Sequence, residues 1–251
     1  MEDKLASMLE ANRITHIVLS NCKKLILNAE SITAAEVNQY AEFSLTRFGV
    51  QSAFKGVNNF PAVMCISIND GIVHGLPTED VKIVKGDVVS LDFGVKYNGY
   101  CSDAAITFLN GKVSGKGSRK KNKLIKDTEK ALNDCIKVLE ENFPNCKLSD
   151  ICKVLDSYSN KYGLVKGYGG HRIGKTLHEP GLFVPNNWSN LYEDRDLKIG
   201  DFFTIEPMFT LGADETKVGE DGFTVKTIDG SIAAHFEYSI AITEKGIIVL
   251  K

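Results

Sequence analysis

The chain has 251 residues, 43% of them hydrophobic and 25% charged, with 30 Lys+Arg against 32 Asp+Glu and a net charge of -2. These values fit one soluble domain that can bury a core without disulfides or a structural metal, and they exclude a generally basic nucleic-acid binder and an acidic disordered chain. No apolar run approaches the roughly 18 residues that span a bilayer, and the acids at positions 2, 3 and 10 leave no signal-like core at the start, so no membrane partner and a cytoplasmic location are expected.

Leu5, Met8, Leu9, Ile14, Ile17, Val18, Cys22 and Leu25 recur at three- and four-residue steps, which predicts a first helix. Thr33 and Glu36 have capping-box spacing and Gly49 suits a helix end, which predicts a second. The period then shortens. VVSLDFGVKYNGYCSDAAITF holds two strand-like runs around Asn98-Gly99, a strong hairpin signal. GKVSGKGSRKKNK reads as a loop. Helices are predicted from about Leu124 to Asn142, ahead of Pro144, and from Ser149 to Gly163. Strands and turns fill the remainder, with a hairpin expected at Asp229-Gly230. Two helices then strands thus occur twice, which predicts an α+β fold, one domain over residues 1–251 built from two similar halves.

Cys22, Cys65, Cys101, Cys135, Cys146 and Cys152 form no C-x-x-C pair, so they read as reduced, partly buried thiols rather than a zinc or redox site. The acids are more informative. If Asn98-Gly99 is a two-residue turn, Tyr97 pairs with Tyr100 and Asp92 lies opposite Ala105. Asp103, two residues from Ala105, then shares a sheet face with Asp92. Two facing carboxylates repel unless they share a proton or a cation. The bland alternative, a solvated strand face, conflicts with the apolar run around Asp92.

GGHRIGKTLHEP places His171 and His178 seven residues apart. A straight strand would point them to opposite faces, so they converge only if the chain bends, which Gly174 allows. Gly169 to Thr176 also matches the phosphate-binding pattern G-x-x-x-x-G-K-[ST]. That loop needs a helix after it, and Pro180, Gly181 and Pro185 oppose one. Glu206 in FFTIEPMF and Glu237 in AAHFEYSIAI sit within apolar strand-like runs, where an unpaired carboxylate is costly. Either alone fits an edge strand facing water. Together with Asp92, Asp103 and His171 they form a ligand set suited to two divalent ions such as Mn, Co, Fe or Zn.

At these residues the chain resembles the methionine aminopeptidases of the short bacterial type. The resemblance runs through CISINDGIVHGLP, LDFGVKYNGYCSDAAITF, GGHRIGKTLHEP, FFTIEPMF, DGFTVKT and FEYSIAIT. It implies the pita-bread fold, with two pseudo-twofold halves around a central antiparallel sheet. It implies removal of the initiator methionine from nascent polypeptide N-termini, with a small second residue preferred, by a water that bridges two metals and attacks the first peptide bond. By the same resemblance Asp92 holds one metal, Asp103 and Glu237 bridge both, and His171 and Glu206 hold the other. Glu206 shuttles the proton, His74 contacts the substrate near the scissile amide, and His178 stabilises the oxyanion. Val57, Phe60, Cys65, Leu177 and Phe223 wall the methionine pocket. Val57, Leu177 and Phe223 depart from the larger aromatic side chains common in the family, so a roomier pocket, and with it an altered preference for the first residue, is the alternative within this fold. A monomer is the family's usual form.

Three local features are particular to this chain. Arg172 follows His171 where Gly is common and is expected to bring a cation close to the metals. Tyr238 follows Glu237 where His is common, and His235, which shares strand parity with Glu237, is expected to face the site. Residues 112–126 carry seven cations and no acid. They read as a basic loop suited to a transient ribosome contact, which charge reversal at Arg119, Lys120 and Lys121 should weaken in a salt-dependent way in co-sedimentation. Unchanged co-sedimentation would contradict that contact.

Overall fold

The computed structural model describes residues 2–111, 114–189 and 192–251. Helix α1 (Glu2–Asn28) buries Met8, Ala11, Ile14, Val18, Cys22 and Ile26 on one stripe, the spacing that predicted it. Helix α2 (Ala34–Phe48) starts at the expected reciprocal cap: Glu36 N–H donates to Thr33 Oγ1 at 3.2 Å and Thr33 N–H to Glu36 Oε2 at 2.8 Å. Such a cap contributes about 1 kcal/mol. Gly49 closes the helix in the left-handed region at φ 66°.

The second helix pair departs from expectation. Helix α3 (Lys116–Asn142) begins well before Leu124, so most of the expected basic loop is helical. Lys116, Arg119, Lys120, Lys121, Lys123 and Lys126 lie on it, while Lys112 lies outside the described residues. Its first turns bury only Ser118, so no apolar periodicity announces them. Long basic side chains are good helix formers, and i,i+4 pairs such as Lys123–Asp127 at 2.6 Å add support. Helix α4 (Leu148–Asp156) ends earlier than the predicted Gly163. The apolar pattern continues beyond it because Tyr158 and Tyr162 pack on Phe209 from turns, their hydroxyls donating to Asp134 and Asp127 at 2.8 Å.

One eight-stranded antiparallel sheet joins the halves. Its strands are β1 (Met64–Ile68), β2 (Val88–Phe93), β3 (Ala104–Leu109), β4 (Gly169–Arg172), β5 (Glu179–Pro185), β6 (Phe202–Ile205), β7 (Glu237–Thr243) and β8 (Gly246–Leu250). The order is β5-β4-β6-β7-β3-β2-β1, with β8 also pairing with β7. The first half supplies β1 to β3 and the second supplies β4 to β8, meeting where β3 pairs with β7. This is the pita-bread arrangement. Each helix pair packs on its own half. Residues of α1 and α2 share a core with Met64, Val89, Leu91 and Phe93, and residues of α3 and α4 share one with Phe203, Ile205, Ile240 and Ile242.

The Asn98-Gly99 turn sets the predicted register: Tyr97 pairs with Tyr100 and Asp92 with Ala105. The Asp229-Gly230 hairpin does not form. Strand Val225–Thr227 pairs with Thr216–Val218 and Gly71–Val73, whereas Ala233–His235 pairs with Met208–Thr210. The Asp229 carboxylate accepts from Ala213 N–H at 2.8 Å and Ser231 N–H at 3.0 Å, which ties the turn to another segment. All six cysteines are free and buried. Among the described residues no helix is long and apolar enough to cross a membrane.

Candidate active site

Strand parity builds the site. Along β2, Val89, Leu91 and Phe93 face the helices, so Asp92 faces the other way. Along β7, Tyr238, Ile240 and Ile242 lie on the helix side, so Glu237 does not. The ladder then runs Cys65, Asp92, Ala105, Glu237 across four strands in one row. Ala105 is small, which leaves room between the two carboxylates it separates. Ile205 pairs with Tyr238, so Glu206, just past β6, continues the row beside Glu237.

Asp103 lies two residues before Ala105. Ser239 Oγ donates to its carbonyl at 2.8 Å, and neighbouring Ser102 is pinned to Thr15 Oγ1 at 2.7 Å. At Gly94, between the two arms, a Cβ would strike the Ser102 carbonyl, so only glycine permits this close crossing. Two acids of the site thus come from the first half and two from the second.

His171 arrives from β4. Its Nε2 lies 3.4 Å from Asp103 Oδ2 and 4.0 Å from Glu206 Oε1. Its Nδ1 lies 3.2 Å from the Arg172 carbonyl, so Nδ1 carries a proton and Nε2 is turned to the acids. His178 precedes β5, and the β4–β5 connection folds its ring to 4.2 Å from that of His171. Lys175 N–H donates to Glu179 Oε1 at 2.7 Å and Gly174 N–H to the Thr176 carbonyl at 3.1 Å, fixing that bend. The chain leaves Thr176 for strand β5 and forms no helix there, so Gly169 to Thr176 is not a phosphate-binding loop.

His74 holds an unusual backbone for a non-glycine residue, φ 57°. The next residue leaves no choice. Gly75 lies against Ile66, its carbonyl accepting from Ile66 N–H at 2.9 Å. The strained conformation aims His74 into the cavity, where Tyr168 meets its ring edge-on at 5.9 Å.

These residues line one cavity of about 590 Å³. Asp92, Asp103, His171, His178, His74, Glu206 and Glu237 stand in it together, and Val57, Phe60, Cys65, Leu177 and Phe223 form part of its wall. Phe60 and Phe223 pack edge to face at 5.5 Å. Arg172 is the exception. It alternates away from His171, and its Nη2 pairs with Asp201 Oδ1 at 2.5 Å, so the expected cation near the acids is absent from the cavity lining. Tyr238 likewise turns to the helix side and packs on His16 at 5.6 Å.

The charges suit a bound cation. Asp92 Oδ1, Asp103 Oδ1 and Glu237 Oε1 are buried without a hydrogen-bond partner. One ligand atom each from Asp103, His171 and Glu237 lie within 4.8 Å of one another. Burial pushes the Asp92 and Glu237 carboxyls well above their ordinary range, and the neighbouring acids push further. Burial opposes ionisation of Glu206 too, but the nearby imidazole of His235 and the charge of His171 outweigh it and hold Glu206 low. Burial lowers His74 and His178, whereas at His171 its effect is exceeded by Asp103 and Glu206, which raise it. Hard carboxylate oxygens with one imidazole are the donor set of a divalent metal.

The raised carboxyls bear on stability. Asp92 and Glu237 keep protons that the unfolded chain releases near pH 4, at about the ordinary carboxylate value. These two groups therefore withdraw stability from the metal-free protein as pH rises from there, and raised His171 acts in the same sense above its ordinary value, while lowered His74 and His178 act in the opposite sense below theirs. A bound cation replaces those protons, so its stabilisation grows with pH. The melting-temperature gap between Mn-loaded and chelator-treated protein should therefore widen as pH rises above the ordinary carboxylate range. A gap that does not change with pH would contradict this.

Sequence reasoning missed the hydroxyls that hold the site. Thr204 Oγ1 accepts from His171 N–H at 3.1 Å and lies 3.3 Å from Glu206 Oε1. Its position two residues before Glu206 was a usable signal. Tyr168, Phe54 and Met208 also line the cavity, and nothing in their local pattern separates them from core residues.

Known proteins resemble the chain along nearly its whole length. The model of metallopeptidase family M24 matches residues 6–244. The chain is 40% identical over 247 residues to a methionine aminopeptidase of Aquifex aeolicus, covering 94% of this chain and 90% of that one. It is 36% identical to methionine aminopeptidase 1 of Bacillus subtilis, covering 98% and 96%. The crystal structure of a methionine aminopeptidase from Thermotoga maritima superposes with a TM-score of 0.90 at 31% identity, covering 100% of this chain and 97% of that one. The chain belongs to metallopeptidase family M24, among its methionine aminopeptidases.

Proposed function

We propose that the protein removes the N-terminal methionine from nascent proteins and peptides and favours a small second residue. The observation that carries this reading is a row of buried carboxylates with unpartnered oxygens at the floor of an apolar-walled cavity. Asp92, Asp103, His171, Glu206 and Glu237 would hold two divalent cations. Cations bound there supply Lewis acidity and lower the pKa of water toward neutrality.

The chain's own residues do the rest. The methionine side chain lies against Val57, Phe60, Cys65, Leu177 and Phe223, so its α-amine meets the acids. A preceding residue would cap that amine and remove its charge, which makes the reaction an exopeptidase one. Glu206, ionised at neutral pH, takes the proton of the attacking water and returns it to the departing amine. His178 donates to the carbonyl oxygen as it gains charge. His74, held neutral by burial, hydrogen-bonds the substrate near the scissile amide. Phe60 and Phe223 clamp the thioether, a contact suited to sulfur against ring edges.

Methionine release from Met-Ala-Ser, N-acetyl-Met-Ala-Ser and Met-Lys-Ser tests the reading. Release from the first is expected, with none from the acetylated peptide and the lysine peptide at least about tenfold slower in kcat/KM. Comparable cleavage of the acetylated peptide would contradict it.

A further inference from the structure

His235 precedes β7 by two residues and is 1% exposed. Its ring Nε2 lies 3.5 Å from Glu206 Oε2. The backbone that carries the ring is fixed as well. His235 N–H donates to Thr107 Oγ1 at 2.9 Å, and Thr107 Oγ1 donates back to the His235 carbonyl at 2.5 Å. Ser90 Oγ completes that buried chain 2.8 Å from Thr107 Oγ1. His235 also pairs in register with Met208, two residues past Glu206, so both ends of the contact belong to one rigid ladder.

The other oxygen of Glu206 has its own donor. Thr204 Oγ1 stands 3.3 Å from Oε1. The carboxylate thus has a side chain set against each oxygen, from β6 on one side and from the 233–235 strand on the other.

We propose that His235 is a positioning residue for Glu206: with Thr204 it clamps the carboxylate so that the oxygen facing the cavity is aimed at the water it must deprotonate. This deepens the reading of Glu206 as the proton carrier and rests on it. The contact requires the proton on Nε2, which leaves Nδ1 as a bare acceptor. Both ring nitrogens are buried without a hydrogen-bond partner of ordinary geometry, and Glu206 Oε2, 3.5 Å from Nε2, is the carboxylate set against the ring. A residue kept for packing would gain nothing from that arrangement, because an apolar side chain of similar size would fill the space without an orphaned nitrogen.

The test compares His235→Leu, which keeps volume and removes the donor, with His235→Gln, whose amide reaches the Nε2 position. kcat and KM on Met-Ala-Ser and Mn affinity by calorimetry are measured for each. Leucine is expected to lower kcat by about 10- to 100-fold and weaken Mn binding by about tenfold, with KM within about twofold. Glutamine is expected to recover kcat and Mn affinity to within about fivefold of wild type. Should the leucine variant not fold, His235→Asn, whose amide is too short to reach Glu206, takes its place. The proposal is overturned if the donor-less variant keeps wild-type kcat and affinity, or if glutamine is as impaired as leucine. Wild-type protein that releases no methionine removes the underlying reading instead, and this proposal with it.

Discussion

Asp103→Asn should abolish methionine release while leaving the metal-free fold more stable than wild type. Asp103 presents Oδ2 to His171 at 3.4 Å and keeps Oδ1 buried without a partner. Asparagine preserves the shape, removes one negative charge and puts an amide N–H where a cation would sit. Altering groups that merely support ligands costs about 10- to 100-fold in metal affinity or activity, so loss of a ligand shared by both ions should exceed about 100-fold at any metal concentration. Stability should move the other way. In the absence of metal, Asp103 raises the cost of ionising Asp92 and Glu237. Neutralising it removes that repulsion, so the melting temperature in chelator should rise. Kinetics on Met-Ala-Ser and calorimetry of the chelated proteins check the two halves. Activity surviving the substitution would contradict the bridging role. A chelated variant less stable than wild type would contradict the electrostatic picture of the floor.

The second large effect concerns Glu206. Its carboxyl is held low by His235 and His171 although it is buried, so it is ionised at neutral pH and available as a base. Glu206→Gln retains size and hydrogen-bonding reach but cannot carry the proton. kcat should fall by about 10²- to 10⁴-fold, the range typical of a lost general base, with KM for the peptide changed little because the methionine pocket is untouched. Glu206 is also a proposed metal ligand, so the assay is repeated across a Mn titration. A deficit that persists at saturating Mn identifies the proton role. Full recovery at high Mn would reduce Glu206 to a ligand only.

The sequence was most legible where two-residue periodicity met an unambiguous turn. Asn98-Gly99 set the register that put Asp92 opposite Ala105, and that register placed Asp103 on the same face. Glu206 and Glu237 stood out because a carboxylate in an apolar strand needs a partner. The convergence of His171 and His178 was open, since it depended on a bend that Gly174 allows but does not dictate.

Other parts lacked a local signal. The start of α3 is helical through basic residues with no apolar stripe, and only its tertiary placement, with Lys121 Nζ on the Gly86 carbonyl at 2.7 Å, ties it down. Asp229-Gly230 is a turn by composition, but which strands it joins depends on Ala213, distant in the chain. Arg172 was drawn toward the site by adjacency to His171. Alternation in β4 and the opposing Asp201 take it away. Thr204, Thr107 and His235 support the acids through contacts between separate strands, which no single segment reveals.

The central claim is that buried carboxylates and one imidazole hold the cations needed to release methionine. Wild-type protein stripped with chelator, dialysed, and assayed for free methionine from Met-Ala-Ser before and after adding back Mn or Co tests it most directly. Stripped protein should release none, and reloading should restore release. Release that is unaffected by stripping, or none with any divalent metal, would contradict it.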